Sequence, residues 1–194
     1  MSAAPASPFA IVLAEASVAP VAATLFPGAA QSVLARAELR PETPCAGALF
    51  DLLGSMTPGD FVGLVAPGVR LGLLGSGSGS AADVLVVRDH VNLALRGPLT
   101  GRWPAGVSRS FPCMTGIYQP AAARAAASAP VYSEDVVAAG VRDAARLTPF
   151  ERRALDEAGV GVYSDCLVPA VVTAAFYGLK VAACLVVPAA RERE

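Results

Sequence analysis

The stretch Leu73–Leu93 reads LLGSGSGSAADVLVVRDHVNL, and it decides the class of fold. Its central part, DVLVV at 83–87, is a short and continuous apolar run, which is typical of a buried strand. Similar apolar runs at 9–13, 60–65 and 181–187 predict further buried strands. Several strands without a polar face indicate a central, mostly buried sheet.

Helical segments alternate with these strands. The segments 14–25 and 169–177 are typical of helices, and Gly178 ends the second one. Thr148 is a suitable N-cap for a helix at 149–158, because proline and glutamate take its first and third positions. This alternation predicts an α/β domain. Weaker patterns predict a strand at 46–53, a strand or short helix at 32–39, a helix or linker at 121–129, and strands within 131–139 and at 161–163.

The composition favours one folded domain. Of the 194 residues, 54% are hydrophobic and 16% are charged, which supports a large core and argues against disorder. We therefore predict a single domain at 9–190 after a disordered N-terminus at 1–8. The formal net charge is -1, so no basic field attracts nucleic acid. The four cysteines form no C-x-x-C pair and His90 is the only histidine, which argues against a zinc site.

Two long apolar stretches could indicate a membrane protein. The first 25 residues lack a basic n-region and contain Glu15, so we reject a signal peptide. The 22 residues Cys166–Val187 could span a bilayer by length. Pro169, Gly178 and the charge of Lys180 argue against that span. We predict a cytoplasmic protein with reduced thiols, and an unrelated membrane-associated protein is the minor alternative.

The residues after 87 resemble a known protein family. Arg88-Asp89-His90-Val91-Asn92-Leu93 is similar, almost letter for letter, to the Arg-Asp-His-Ile-Asn-Leu segment of the trimeric purine nucleoside phosphorylases. The chain resembles a shortened and diverged member of that class. Weaker matches in the family's order are Pro44-Cys45-Ala46-Gly47, Leu95-Arg96-Gly97-Pro98, Phe111-Pro112-Cys113-Met114, Tyr118 and Gly178-Leu179-Lys180-Val181.

This resemblance implies a three-layer α/β fold, in which helices flank a central mixed sheet. The family continues with a long C-terminal helix after its last strand, so we expect a fold truncated at the C-terminus with uncovered apolar surface. Arg88, Asp89, His90 and Arg96 would have structural or interface roles near the subunit contact, and a catalytic role for His90 is disfavoured. The resemblance also implies a homo-oligomer, a trimer in the family, or a protein partner.

The family's reaction is the phosphorolysis of purine nucleosides, which requires a phosphate site. The family's Gly-Ser-Gly loop after the first strand corresponds to Ala14-Glu15-Ala16-Ser17, which has no glycine. At about 4 Å and an effective dielectric near 20, the Glu15 carboxylate would repel an anion by roughly 4 kcal/mol. The segment with the family's phosphate arginine and ribose histidine is missing between 65 and 69, and another phosphate histidine corresponds to Cys45. We therefore expect a pocket without cationic or imidazole groups.

Other parts of the pocket leave alternatives open. Ser76, Gly77 and Ser78 could form an anion cradle, although a glycine–serine run is more often a flexible turn. Phe150-Glu151 is similar to the family's purine-binding pair, but a helix N-terminus explains these residues as well and is the preferred interpretation. Tyr118 is a candidate ribose contact or an ordinary loop tyrosine.

Two further residues depart from the family's pattern. Pro188 replaces the family's leaving-group asparagine, and Asp165 replaces a methionine that packs on the ribose. We therefore favour a catalytically inactive phosphorylase-like protein that keeps the fold and an interface for a binding or regulatory role. The alternative is an active phosphorylase or a binder of purine nucleoside or phosphate with a rebuilt pocket. We predict no cofactor in either case.

Overall fold

The computed structural model describes residues 8–40, 46–71, 82–94, 97–100, 111–131, 134–143 and 146–188. Its strands are β1 (Ile11–Glu15), β2 (Gln31–Leu34), β3 (Phe61–Pro67), β4 (Val69–Arg70), β5 (Asp83–Asn92), β6 (Val136–Gly140), β7 (Val160–Ser164) and β8 (Lys180–Val187). Its helices are α1 (Ala19–Leu25), α2 (Arg36–Leu39), α3 (Ala48–Gly54), α4 (Pro120–Ala126), α5 (Pro149–Glu157) and α6 (Leu167–Phe176). A short 3-10 helix, Ala16–Val18, joins β1 to α1.

The strands form one mixed sheet in the order β2-β1-β3-β8-β5-β6-β7-β4. β1 pairs in parallel with β2 and β3, and β3 pairs in parallel with β8. β5 is antiparallel to β8, whereas β5, β6 and β7 are parallel to one another. The predicted mixed α/β sheet is therefore confirmed.

The sheet closes on itself at Gly68. β3 and β4 are separated only by this residue, yet β3 pairs with β8 and β4 pairs antiparallel with β7. The strands from β3 through β8, β5, β6 and β7 to β4 therefore form a ring. A Cβ atom on Gly68 would lie 2.9 Å from Cγ2 of Val162 and 3.2 Å from Cβ of Leu185. The close approach of β7 and β8 thus requires glycine here.

Helices cover both faces of the sheet and produce three layers. On one face, Leu25 of α1 and Ala123 of α4 are buried in a cluster with Val12 of β1. On the other face, Leu53 of α3 and Leu167 of α6 belong to a second cluster. Because neighbouring strand residues point to opposite faces, the strands are apolar on both sides.

One segment predicted as a strand is a helix. Residues 46–53 were expected to extend into the sheet, but α3 occupies 48–54 and buries Leu49, Phe50 and Leu53. Leu49 and Leu53 are four residues apart, which places both on one face of a helix. At 32–39 both alternatives occur, because β2 ends at Leu34 and α2 follows.

The expected uncovered apolar surface is not found over the last strand. The residues 181–187 of β8 are all buried. Among the described residues, the large hydrophobic side chains that stay exposed lie on different elements, namely Val33, Val69, Val91, Leu93, Phe111 and Phe150. The described part of β8 is therefore covered.

The apolar stretch Cys166–Val187 divides into α6, a turn at Gly178 and β8. Gly178 has φ +72°, a left-handed conformation that favours glycine and ends the helix. Within the described part of the chain, no helix has the length and hydropathy needed to cross a membrane.

Candidate functional site

Ring closure brings several strand ends together. Val69 pairs with Tyr163, so the end of β3 at Pro67 lies near the end of β7 at Ser164. β1 runs parallel to β3 and therefore ends at Glu15 on the same side of the sheet. Ligand sites in α/β proteins commonly lie beyond the carboxyl ends of strands. This edge of the sheet is therefore a candidate ligand site.

Glu15 occupies the turn after β1 with its own carboxylate. Only 6% of the residue is exposed. Its Oε2 accepts a hydrogen bond from the Ser17 backbone N–H at 3.0 Å and another from the Ser17 hydroxyl. The side chain thus caps the short helix Ala16–Val18, where the family resemblance predicts an anion site. A backbone donor of this turn is therefore already bound to a negative charge.

Two arginines of the α2 region bind Asp165, which directly follows β7. Arg40 Nη1 donates to Asp165 Oδ2 at 3.0 Å, and Arg36 Nε lies 3.5 Å from Oδ1. The Cys166 thiol also donates to Oδ1, at 3.2 Å. We call Arg36, Arg40 and Asp165 the ionic clasp. Two guanidinium groups of the α2 region, which the sequence patterns did not reveal, therefore lie at this edge of the sheet.

The charges around Asp165 affect the protonation of Arg36 and Cys166. Partial burial lowers the pKa of Arg36, but Asp165, Cys166 and Glu15 outweigh this effect and raise it overall. Burial, followed by the nearby Asp165 charge, raises the pKa of Cys166 to about 12. The Cys166 thiol therefore stays protonated at neutral pH and is a poor nucleophile.

A cavity of about 200 Å³ lies beside the clasp. The charged residues Arg36, Arg142, Asp143 and Asp165 line it, and their formal charges sum to zero. Pro67, Val69 and Val141 provide an apolar wall, and Tyr163 and Ser164 add polar atoms. We call this space the strand-end cavity.

A second polar cluster lies where β5 extends beyond its pairing with β8. His90 Nδ1 is 2.9 Å from the Tyr118 hydroxyl. Burial lowers the pKa of His90, against the opposing effect of Asp89. Burial and Asp89 both raise the pKa of Tyr118. Both groups are therefore neutral at pH 7, and they hold each other in place.

Tyr118 is a core residue rather than a surface loop tyrosine. Only 7% of it is exposed, and it bridges to Val181 of β8. It also lines an open cavity of about 340 Å³ together with Arg88 and Asp89. This second cavity shares no described lining residue with the strand-end cavity.

Comparison with known proteins gives similarity in structure but not in sequence. No protein family matches the chain, and no curated protein is similar to it in sequence. Isoform 2 of purine nucleoside phosphorylase from Schistosoma mansoni, in complex with cytosine and ribose-1-phosphate, is 14% identical with a TM-score of 0.63, over 95% of this chain and 78% of that one. A schistosoma purine nucleoside phosphorylase in complex with hypoxanthine is 16% identical with a TM-score of 0.63, over 92% and 76%. The chain has the purine nucleoside phosphorylase fold.

Within this phosphorylase fold, the predicted purine pair does not line either cavity. Phe150 is 78% exposed at the start of α5. Glu151 Oε2 accepts the Thr148 N–H at 2.7 Å, and Thr148 Oγ1 accepts the Glu151 N–H at 3.2 Å. This capping box lowers the pKa of Glu151 through the Thr148 backbone and side-chain hydrogen bonds. The pair therefore has the geometry of a helix N-terminus.

The remaining predicted site residues are distributed as follows. Ser76, Gly77, Ser78, Cys45 and Arg96 lie outside the described residues. In the part of the chain that the structure describes, no group of three or more His, Cys, Asp or Glu side chains could hold a metal ion. The strand-end cavity and its clasp are thus the main candidate site, and the sequence patterns singled out only Asp165 among their residues.

Proposed function

We propose that this protein is a catalytically inactive, phosphorylase-like protein of the cytoplasm that acts through binding. The observation that carries the proposal is the position of the Glu15 carboxylate on the Ser17 backbone N–H. An attacking phosphate would meet a fixed negative charge there instead of a free donor. At about 4 Å and an effective dielectric near 20, each such pair of unit charges costs roughly 4 kcal/mol.

The nearby cations do not compensate for that charge. Arg36 and Arg40 both bind Asp165. A phosphate that recruited them would leave the partly buried Asp165 without its counter-ions, which is unfavourable. The charge distribution therefore supports binding of neutral or internally balanced molecules over binding of phosphate.

The groups that would stabilise a departing purine also support the proposal. Pro188 follows β8 and has no side-chain donor. Phe150 and Glu151 form the start of α5 instead of lining a cavity. Electrostatic stabilisation of the leaving group is commonly the largest contribution to such a rate enhancement. Its absence would leave a bound nucleoside intact.

Incubation of the full chain with inosine and phosphate tests the proposal. We expect no hypoxanthine release above the protein-free rate, with an active phosphorylase assayed in parallel. Glu15→Gln removes the repelling charge while keeping the size of the side chain, and Glu157→Gln on the exposed end of α5 is a matched control. Turnover by the unmodified chain that Glu151→Ala abolishes would contradict the proposal.

The strand-end cavity favours one alternative function, which is nucleoside binding without phosphorolysis. Calorimetric titration with inosine in the absence of phosphate tests it. Association with copies of itself, as a trimer by family resemblance, or with a protein partner belongs to the main proposal. Light scattering on the eluting protein gives the mass that decides between a monomer and an oligomer.

A further inference from the structure

The strand-end cavity presents both signs of charge around a small apolar space. Arg36 and Arg142 provide two positive charges, and Asp143 and Asp165 provide two negative charges. A cavity with no net charge gains little by binding a dianion, and the neighbouring Glu15 makes that binding less favourable. Its charges match a molecule that carries one charge of each sign.

We propose that the strand-end cavity binds a free α-amino acid with a short apolar side chain. The proposal deepens the proposed binding function and rests on it. An α-amino acid holds its ammonium and carboxylate groups on one carbon atom, so its site needs a cation and an anion side by side. Arg36 Nε and Asp165 Oδ1 are 3.5 Å apart and meet that requirement.

The ionic clasp can accept such a ligand without losing its own charge balance. Arg40 makes the shorter bond to Asp165, at 3.0 Å, and remains as its counter-ion. Arg36 makes the longer contact, and 52% of its side chain is exposed to solvent. Arg36 can therefore turn its guanidinium towards a ligand carboxylate, which such a group binds in a bidentate manner. The ammonium group of the ligand then lies near Asp165, whereas Asp143 is already paired with Arg146 at 3.7 Å.

The cavity has a volume of about 200 Å³, and part of its wall is apolar. Pro67, Val69 and Val141 form the apolar wall that would receive an aliphatic side chain. Valine fits this description, because it has one charge of each sign at its polar end and a short aliphatic side chain.

Calorimetric titration of the full chain with L-valine tests the proposal. N-acetyl-L-valine lacks the ammonium charge and L-valinamide lacks the carboxylate charge, so each analogue should bind at least about tenfold more weakly. The proposal is overturned if L-valine does not bind, or if either analogue binds as tightly as L-valine.

Two arginine variants separate ligand contact from structural support. Arg36→Gln should weaken L-valine binding about tenfold or more. Arg124→Gln is the matched control, because Arg124 also binds an aspartate, Asp135, but does not line the cavity. An equal loss of L-valine binding in both variants would overturn the proposal. If circular dichroism shows that a variant does not fold, the titrations of the unmodified chain with the two analogues still test the proposal.

The hypoxanthine assay stays independent of this titration. Hypoxanthine release would contradict the proposed function, whereas a failure to bind L-valine with no release would overturn only the ligand assignment. Competition of inosine with L-valine would show that the cavity serves a nucleoside, which also overturns it.

Discussion

At the scale of single residues, the acidic side chains decide what this edge of the sheet can hold. Glu15 could be placed from the sequence, because the family resemblance aligns it with the loop after the first strand. The partners of Asp165 could not, because Arg40 is 125 residues away in the chain. No periodicity connects such distant positions, and only the ring of strands brings them together.

Gly68 gives the first prediction. A Cβ at this position would lie 2.9 Å from Val162 Cγ2 and 3.2 Å from Leu185 Cβ. We expect Gly68→Ala to lower the free energy of unfolding by about 1–3 kcal/mol, because β7 and β8 must move apart. Urea denaturation measures the change. Gly97→Ala is the control, since a Cβ there meets no atom within 4 Å and should cost far less.

His90 gives a prediction about pH. Burial lowers the pKa of His90 below its ordinary value of 6.5, despite the opposing Asp89. The unfolded chain therefore binds a proton more readily than the folded one, and stability falls as the pH drops from 6.5 towards the folded pKa. His90 is the only histidine, so His90→Gln should remove this decline. Urea denaturation at several pH values between about pH 7.5 and pH 5.5 measures this change in stability for both proteins. An equal decline in both would disprove the prediction.

At the scale of elements, predictions from the sequence succeeded where a local signal marks both ends. The bounds of α5 followed from Thr148 and Glu151, which form a capping box within one turn. The segment of α3 was misread because its apolar residues are close together, with no side-chain cap at Gly47. A short apolar run fits a strand or a buried helix, and tertiary packing decided in favour of the helix.

The cap of α5 is open to a direct test. Thr148 Oγ1 accepts the Glu151 N–H at 3.2 Å. Thr148→Ala removes this acceptor and should lower the free energy of unfolding by about 1 kcal/mol. Thr148→Ser keeps a hydroxyl and should stay close to the unmodified protein in thermal or urea denaturation. Equal losses in both variants would show that the methyl group of Thr148, and not its oxygen, is important.

The ionic clasp holds α2 against the start of α6. Asp165→Asn removes the negative charge that Arg36 and Arg40 share. Because Arg36 is half exposed and screened by water, we expect a loss of only about 1 kcal/mol. Hydrogen exchange should speed up in α2 more than in the central strands. Asp143→Asn, at an exposed position, should leave exchange in α2 unchanged, and faster exchange there would contradict this explanation.

At the scale of the whole molecule, the fold was more predictable than the site. The segment Arg88–Leu93 pointed to the phosphorylase fold, and structural similarity over 95% of the chain agrees with it. The fold depends on many apolar positions that tolerate substitution, which explains how it persists at 14% identity. A site depends on a few side chains, so its charges can change while the sheet remains.

Removal of β8 should affect the entire sheet. β8 pairs with β3 on one side and with β5 on the other. A chain ending at Leu179 leaves each of these strands with one unpaired edge and splits the sheet between them, and we expect it to lose cooperative unfolding in urea. A chain ending at Pro188 keeps all of β8 and is a milder control. A cooperative transition in the chain that ends at Leu179 would show that the ring is not required for folding.

The ring of strands also affects how this protein folds during translation. β3 leaves the exit tunnel long before β8, the strand that must insert between β3 and β5. Until translation reaches that last strand, β3 has β1 as its neighbour and an open edge on its other side. Such an edge can pair with other nascent chains. The yield of protein in a cell should therefore depend on chaperones and on the speed of translation over the codons of β8.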